Sequence, residues 1–265
     1  MKLIKKILSL ALVLGMMSVI FASCQNDTKS DSEYVKEKGT LIVGITEYAP
    51  MDYKENGEWV GFDADMSKLF AEYLGVKAEF FVISDWDYKT MELETKGVDV
   101  VWNGMTLTDG VKNSMATSNP YCKNAQVVVV NAKDADKYTT IESLKGLSIA
   151  VENGSAGAEV LEKLGYKFTA VEAQSNALME VAAGTSDACV IDLIMAGAMI
   201  GEGTSYPDLI YTVSLTSEEY YGVGFRKGSD LCEKLDEFFK AKYADGTMIA
   251  LAEKYGVDES LIPQK

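Results

Sequence analysis

Residues 61–83, "GFDADMSKLFAEYLGVKAEFFVI", decide the fold because they join an amphipathic helix to a strand through one glycine. The stretch "TLIVGIT" at 40–46 is short and rich in β-branched residues, and it predicts a strand before the helix. Gly75 ends the helical pattern, and "KAEFFVI" predicts the next strand. This order is typical of a β–α–β unit in a parallel sheet. The helix is indicated by apolar residues at helical spacing, namely Phe62, Met66, Leu69, Phe70 and Tyr73.

Strands and helices continue to alternate along the chain. "WDYKTMELETKG" predicts a helix and "VDVVWNG" a strand, and a second set of elements begins at "NAQVVVVN". The continuous apolar runs "VVVV" and "ACVI" favour strands that are covered on both faces. The remaining patterns predict a threonine-capped turn of helix in "TTIESLKG", a helix opening at "ENGSAG", a serine-capped helix in "SNALMEVAAG" and two closing helices, "SDLCEKLDEFFKAKYA" and "DGTMIALAEKYG". The sequence therefore predicts two sets of α/β elements.

The amino-terminal residues have the pattern of an export signal. "MKLIKKILSLALVLGMMSVIFASC" has three lysines, an apolar run and small residues before a cysteine. The run from Ile7 to Ala22 is shorter than the ~20 apolar residues that span a bilayer. "FASC" resembles a bacterial lipobox, which implies that 1–23 is removed and that Cys24 carries a lipid; a simple signal peptide is the alternative. Residues 24–37 are polar and predict a flexible tether.

Charge and composition exclude several classes of function. Removal of residues 1–23 takes away three lysines and no acid, which changes the net charge from −15 to −18. So acidic a chain argues against nucleic acid as a partner. The sequence has no histidine, which excludes Ser-His-Asp and Cys-His catalysis and every metal site that uses histidine. Cys122, Cys189 and Cys232 form no CxxC, so buried free thiols are expected rather than a disulfide framework.

Eight motifs follow one another along the chain. They are "GTLIVGITEYAPMDY", "GEWVGFDADMSKLFAEYLGV", "VDVVWNGMTLT", "SNPYCKNAQVVVV", "SLKGLSIAVENGSAG", "SDACVIDLIMA", "GVGFRKGSDL" and "DGTMIALAEKYGV". Their order resembles that of the family 3 extracellular solute-binding proteins, the amino-acid receptors of ABC importers. This resemblance implies a periplasmic-binding-protein fold of type II, in which two α/β lobes are joined by two hinge strands and close on a ligand. It places 38–122 and 224–265 in the first lobe and 123–223 in the second.

Ligands of open α/β sheets bind beyond the carboxyl ends of the strands, so the residues that follow each strand are the candidates for the site. By the resemblance, Tyr48 covers the ligand with Trp86 opposite, and Asp192 takes an α-amino group. An acid that follows four apolar residues is costly to bury without a partner, although Asp192 also suits a helix N-cap. The predicted ligand-binding residues are Glu47, Tyr48, Trp86, Asn103, Gly104, Thr106, Thr108, Ser155, Ala156 and Asp192.

One position departs from the family pattern. Relatives that bind α-amino acids have an arginine three residues after the second threonine of "GMTLT", where this chain has Val111. The only arginine of the sequence is Arg226. Three alternatives remain open for a ligand carboxylate: Lys112 turns inward as a point charge, neutral donors of Gly104, Thr106, Thr108 and Ser155 hold it, or the ligand has none. Glu47 and Asp192 favour a zwitterionic or cationic solute.

The resemblance and the composition together predict a lipid-anchored, monomeric receptor on the outward face of the plasma membrane. It would capture a small amine-bearing solute, with an amino acid as the favoured class, without a cofactor or a metal, and deliver it to an ABC permease. Two other classes stay open. One is an enzyme on the same fold, dehydratase-like or lyase-like, with Glu47 or Asp192 as acid or base. The other is a sensory ligand-binding module.

Overall fold

The structure of the protein is a computed structural model that describes residues 29–265. The predicted export signal and the predicted lipidation site, Cys24, lie outside the described residues. The residues from Asp31 to Lys265 form one compact unit. None of the described helices is both long enough and apolar enough to cross a membrane.

The strands, in chain order, belong to two main sheets and one hairpin. They are β1 (Thr40–Ile45), β2 (Tyr53–Glu55), β3 (Glu58–Val60), β4 (Lys77–Val82), β5 (Val100–Thr106), β6 (Ala116–Thr117), β7 (Cys122–Asn124), β8 (Gln126–Asn131), β9 (Ile149–Glu152), β10 (Thr169–Val171), β11 (Ala188–Asp192), β12 (Leu209–Ser214) and β13 (Glu219–Phe225).

The helices lie between these strands. They are α1 (Asp31–Lys38), α2 (Phe62–Leu74), α3 (Lys89–Glu94), α4 (Asp109–Ser114), α5 (Ala156–Leu164), α6 (Gln174–Ala183), α7 (Leu193–Met199), α8 (Leu231–Ala244) and α9 (Thr247–Tyr255). Short 3-10 helices span Trp86–Tyr88, Ala132–Lys137, Ile141–Leu144 and Asp258–Ser260.

The first sheet has the strand order β4-β1-β5-β13-β6, with β7 also paired to β13, and the second has the order β10-β9-β11-β8-β12. β1 runs parallel to β4 and β5, and β9 runs parallel to β10 and β11, as the β–α–β pattern predicts. β13 and β8 are antiparallel to their neighbours. The predicted α/β fold of type II is therefore confirmed.

Two adjacent segments of chain connect the sheets. β7 leads into β8 through Ala125, and residues 215–218 lead from β12 back into β13. The segments are hydrogen-bonded to each other, because the Leu215 N–H donates to the Gln126 carbonyl at 2.8 Å and the Gln126 N–H donates to Thr216 Oγ1 at 2.9 Å. All of β13 pairs with strands of the first sheet, so this sheet takes in residues from 219 onward, five positions before the predicted lobe boundary at 224.

The apolar runs are covered on both faces, as predicted. Val127 and Val129 of β8 pack into one hydrophobic cluster, whereas Val128 and Val130 pack into another on the opposite face. All four side chains are buried. Burial on both sides explains why the sequence of this strand is uniformly apolar rather than alternating.

The apolar stripe of α2 is shorter than its sequence predicts. Phe62, Met66 and Phe70 are fully buried, but Tyr73 is 53 % exposed. Its ring lies 6.2 Å from that of Phe70 and 5.6 Å from that of Phe238, between centroids, so it covers the edge of the core instead of entering it. Gly75 ends the helix in a left-handed conformation, as predicted.

Two predictions of local structure are wrong. α1 occupies 31–38 and so overlaps the predicted tether of 24–37, because Val35 is buried in the core and the Ser32 N–H donates to Asp230 Oδ1 at 2.9 Å. The helix in "SNALMEVAAG" has no serine cap: it begins at Gln174, and its N-cap position is Ala173. The thiol prediction is confirmed for Cys122 and Cys189, which are free and buried; Cys232 is free and half-buried.

Candidate functional site

A small cavity of about 20 Å³ lies between the two sheets, at the carboxyl ends of their parallel strands. Most of the predicted site residues line it, and four others that were not predicted join them. The predicted ones are Trp86, Asn103, Gly104, Thr106, Ser155, Ala156 and Asp192; the additional ones are Met105, Gln126, Glu152 and Gln174.

Asp192 is the last residue of β11 and is buried, with its carboxylate held by three side-chain amides. Its Oδ1 accepts hydrogen bonds from Asn124 Nδ2 and Gln126 Nε2, both at 2.6 Å, and its Oδ2 accepts one from Gln174 Nε2 at 2.5 Å. Burial raises the pKa of Asp192, while these amides oppose the shift. Asp192 also occupies the N-cap position of α7, but its side chain makes no cap hydrogen bond. The carboxylate is therefore fixed by donors that carry no charge.

Glu152 is a second buried acid at the cavity, and the sequence analysis missed it. It ends β9 as Asp192 ends β11, and its Oε1 has no hydrogen-bond partner among the described residues. Burial and the charge of Asp192 raise the pKa of Glu152 to about 8, although Lys89 and hydrogen bonds from Thr46 and Gln174 oppose the shift. The signal was present in "SIAVE", where an acid directly follows a buried strand.

Asn103 adds a neutral acceptor from the first sheet. Its Nδ2 donates to Thr46 Oγ1 at 2.7 Å, and its Oδ1 is buried without a hydrogen-bond partner in the described part of the chain. Buried polar atoms are nearly always hydrogen-bonded in native proteins, so an unpartnered acceptor beside a cavity indicates that a donor belongs there. The cavity wall is thus rich in acceptors on both sides.

Two of the neutral donors that one alternative assigns to a ligand carboxylate, those of Gly104 and Thr108, already have partners within the protein. The Gly104 N–H already donates to Asp63 Oδ2 at 2.6 Å. Thr108 caps α4, because its Oγ1 accepts the Val111 N–H at 3.2 Å, and its hydroxyl donates to Glu159 Oε1 at 3.0 Å. Thr106 remains at the cavity. Similarly, the Ser155 N–H is not free, since it donates to the Glu152 carbonyl at 3.3 Å.

Tyr48 and Glu47 lie outside the cavity lining. Tyr48 is buried in the core of the first sheet, where its hydroxyl contacts the Tyr221 hydroxyl at 2.5 Å. Its ring backs Gly104, since a Cβ at that position would lie 2.5 Å from Tyr48 Cε1. Glu47 is exposed. Tyr48 therefore supports the wall of the cavity from behind in this structure, and only Trp86 of the two predicted aromatic residues lines it.

The position of Val111 is apolar in structure as well as in sequence. Val111 is buried in a cluster that includes Trp86 and Met105, and Lys112 is exposed, so this structure does not support the alternative in which Lys112 turns inward. The cation that lies near the cavity is Lys89, which sequence reasoning missed. Its Nζ donates to the Trp86 carbonyl at 3.1 Å and to the Gly154 carbonyl at 2.9 Å. Burial lowers the pKa of Lys89.

Side chains of the two sheets also meet at the rim of the cavity. Besides the bond from Lys89 to Gly154, Asn153 Nδ2 donates to both oxygens of Asp85, at 3.0 and 3.2 Å. Gly154 has a φ of +66°, and a Cβ there would lie 2.6 Å from the Asp87 Cα. The rim contact therefore requires glycine at this position. No group of three or more His, Cys, Asp or Glu side chains within residues 29–265 is placed to hold a metal ion.

An acceptor-rich cavity between two α/β sheets joined by paired crossing segments defines a binding protein of the type II class. The chain belongs to the bacterial extracellular solute-binding proteins, family 3, whose model matches residues 41–258. It is 28% identical over 257 residues to the arginine-binding extracellular protein ArtP of Bacillus subtilis, covering 94% of this chain and 98% of the relative.

Several solved structures are similar to this chain over most of its length, among them two binding proteins. One is the arginine-, lysine-, histidine-binding protein ArtJ from Geobacillus stearothermophilus, with 30% identity, a TM-score of 0.73 and coverage of 82% of this chain and 94% of that one. The other is the ancestral amino acid-binding protein AncCDT-1, a precursor of cyclohexadienyl dehydratase. It has 30% identity, a TM-score of 0.76 and coverage of 86% of this chain and 99% of that one.

Proposed function

We propose that the protein is the substrate-binding component of an ABC importer, which binds a small amine-bearing solute of the amino-acid class in the cavity between the sheets. The observation that carries this proposal is the buried Asp192 carboxylate. It is fixed by three amides, and it lies in a cavity whose described lining contains no lysine or arginine. A ligand ammonium group would supply the counter-charge that the site lacks.

The electrostatics favour a cation over an anion. A buried carboxylate without an opposite charge is costly. Burial therefore raises the pKa of the group and favours its neutral form, unless a cation pairs with it. The raised pKa values of Asp192 and Glu152 are both of this kind. An ammonium group beside them lowers this cost, whereas an anionic ligand would increase it. Membership in an extracellular solute-binding family and the likeness to ArtP and ArtJ support the same class of ligand.

Closure of the two sheets around the ligand is the proposed mechanism. Residues on the side of the first sheet, such as Trp86 and Asn103, and residues of the second, such as Asp192, line one cavity. A ligand that contacts both sides stabilises the state in which they are together, and the rim bonds of Lys89 and Asn153 form in that state. The permease would recognise this closed form. We place the lobe boundaries in the paired crossing segments, near 122–126 and 215–219.

The proposed location is the outward face of the plasma membrane. The tripartite export signal of 1–23 and the lipobox-like "FASC" support attachment through a lipid on Cys24. The ligand-binding unit, Asp31–Lys265, would act as a monomer held close to the permease by this anchor.

Calorimetric titration of the chain from Asp27 onward, which contains the whole compact unit, tests the proposal. The ligands are single amino acids, their carboxyl amides and simple amines. We expect Asp192→Asn to weaken binding of the best ligand by about 30-fold or more, because a charged hydrogen bond contributes ~2–3 kcal/mol. The matched control is Asp134→Asn, since Asp134 pairs with Lys137 at the surface, outside the cavity lining.

The same titration separates the proposed function from its alternatives. If Asp192→Asn binds as tightly as the unmodified protein, Asp192 does not hold the ligand and the proposal is wrong. Incubation of the best ligand with the protein, followed by NMR, addresses catalysis, which the likeness to AncCDT-1 and the buried acid Glu152 give reason to test. Conversion of the ligand would identify an enzyme; unchanged ligand supports a binding protein.

A further inference from the structure

We infer that Glu152 forms a second anionic subsite, so that the cavity selects solutes that carry two positively charged nitrogens. This inference rests on the proposed function, since it places the first cationic group of the ligand at Asp192. It names the class of solute as dications, with ammonium, guanidinium or amidinium groups at both ends. Glu152 is the residue that would distinguish these dications from solutes with a single cation.

The two acids of the cavity differ in how their oxygens are hydrogen-bonded. Asp192 has its hydrogen-bonding capacity largely filled by Asn124, Gln126 and Gln174. Glu152 is equally buried, at 3 % exposure, but its Oε1 has no hydrogen-bond donor among the described residues. A buried carboxylate oxygen without a donor is rare in native proteins, and here it belongs to a residue that lines the cavity. A donor from the ligand would complete its environment.

The cation nearest to the cavity, Lys89, already has hydrogen-bond partners of its own. Lys89 is close enough to lower the pKa of Glu152, but it lies at the rim and not in the cavity lining. Its Nζ donates to the carbonyls of Trp86 and Gly154. Lys112 is exposed, and Arg226 is bonded to Asp31 and to the carbonyls of Leu93 and Val98. Glu152 and Asp192 therefore face the cavity as two acids, and two ligand cations match their charge.

The wall of the cavity that belongs to the first sheet contributes a further acceptor. Asn103 Oδ1 is buried without a partner in the described structure, and its amide nitrogen is fixed on Thr46 Oγ1. Thr46 also lowers the pKa of Glu152 through its side chain, so Asn103 and Glu152 share Thr46 as a neighbour. A nitrogen with several N–H groups can donate to Glu152 and Asn103 together, which a hydroxyl or a methyl group cannot do.

Ligand binding should change the protonation of Glu152, and this change can be measured. A residue with only a structural role would not show it. The groups that face it are Asp192, Lys89, Thr46 and Gln174, and their balance with burial leaves its pKa at about 8. With a pKa of about 8, Glu152 would be mostly protonated in the free protein at pH 6.5. A cation bound beside it favours the ionised form, so a dication should displace about one proton into the buffer and bind up to about tenfold more tightly per pH unit between 6 and 8.

The experiment is a cycle of two ligand pairs and two proteins, measured by calorimetry at pH 6.5 and 8. Lysine is compared with norleucine, and 1,4-diaminobutane with butylamine, in the chain from Asp27 onward and in Glu152→Gln. In the unmodified protein we expect that, in at least one of the two pairs, the dication binds at least about 30-fold more tightly than the compound with a single cation. In Glu152→Gln we expect this preference to fall to within about threefold. Glu172→Gln is the matched control, because Glu172 is exposed and lies outside the cavity lining.

Proton release is measured with the unmodified protein by repeating the titration at pH 6.5 in buffers of different ionisation enthalpy, so the test does not depend on the folding of a variant. About one proton more for the dication than for its partner supports the inference. No preference for dications, or a preference that Glu152→Gln retains, overturns it. If single cations bind and Asp192→Asn abolishes that binding, the proposed function stands without the second subsite. If no compound of the panel binds, both are wrong.

Discussion

Gly104 forms the first-sheet wall of the cavity and has no space for a side chain. Its φ is +56°, and a Cβ would lie 2.5 Å from Tyr48 Cε1 and 3.1 Å from a ring carbon of Tyr221. Its N–H is held at 2.6 Å by Asp63, which also accepts a hydrogen bond from Tyr121 at 2.6 Å. The wall is therefore fixed by a buried carboxylate on one side and by an aromatic ring on the other.

Gly104→Ala should destabilise the fold and weaken ligand binding. We expect the free energy of unfolding to fall by ~2–4 kcal/mol, because a left-handed conformation of Ala costs about 1 kcal/mol and the clash with Tyr48 adds a cost of overpacking. Gly146→Ala is the matched control, since Gly146 has a φ of +88° but no atom within 4 Å of the place where a Cβ would lie. This control should lose only ~1 kcal/mol. Urea denaturation measures the free energy of unfolding of both variants. Equal losses of stability would show that Tyr48 does not restrict the space at Gly104.

The individual site residues were predictable only where a local pattern marks them. Asp192 follows four apolar residues of a strand, and the same pattern in "SIAVE" marks Glu152. No local pattern shows that the Gly104 N–H is occupied by Asp63, or that the Thr108 hydroxyl is occupied by Glu159, because these partners are 41 and 51 residues distant in the chain. Availability of a donor is a property of the tertiary structure.

The secondary-structure elements were more predictable than their ends. β8 and β11 are evident as uninterrupted apolar runs, because both of their faces are buried. α1 was missed because its one apolar residue in the core, Val35, gives no helical period, and its attachment depends on a distant residue, Asp230. Likewise, the serine of "SNALMEVAAG" lies one position inside α6, since the strand before it ends earlier than its sequence indicates.

The rim where α3 meets the turn before α5 yields a prediction about closure. Asn153→Ala removes the amide that donates to both oxygens of Asp85, at 3.0 and 3.2 Å. If this bond forms only on closure, ligand affinity should fall about three- to tenfold, as expected for a partly exposed hydrogen bond to a charged group, with the free energy of unfolding of the ligand-free protein unchanged. Calorimetry and urea denaturation measure the two quantities.

Asp134→Ala is the control for this variant, because Asp134 bonds to Lys137 within the same short 3-10 helix. This substitution should alter neither ligand affinity nor the free energy of unfolding. A loss of stability in ligand-free Asn153→Ala, with affinity unchanged, would contradict the prediction. It would mean that the rim contact belongs to the unliganded protein as well. Small-angle scattering with and without ligand then measures the change of dimensions directly.

Across the whole molecule, buried carboxyls link stability to pH. Burial raises the pKa of Asp63 to about 7 and that of Glu152 to about 8, and it raises the pKa of Asp52 and Asp192 as well. In the unfolded chain these groups ionise near about pH 4. Between about pH 4.5 and 8 the folded state therefore binds more protons than the unfolded state, so the folded state loses stability as pH rises.

We expect the free energy of unfolding of the ligand-free protein to decrease from pH 5 to pH 8. Each such group contributes up to about 1.4 kcal/mol per pH unit within its own window. Glu152→Gln should reduce the slope over this range, whereas Glu172→Gln should not. Urea denaturation at pH 5, 6, 7 and 8 in high salt, which screens the repulsion of the acidic surface, gives the slope. A stability that rises with pH over this range would contradict the expectation.

The path of the chain between the sheets has a consequence for biosynthesis. The second sheet is built from one unbroken stretch, from Gln126 to Ser214, and the ends of this stretch adjoin, since Leu215 donates to Gln126 at 2.8 Å. The first sheet must wait for β13, which pairs with β5 and is the last strand to be synthesised. As the chain emerges amino end first, the inserted stretch can complete its sheet while the surrounding one still lacks a central strand. The second sheet can therefore form before the first sheet is complete during synthesis of the protein.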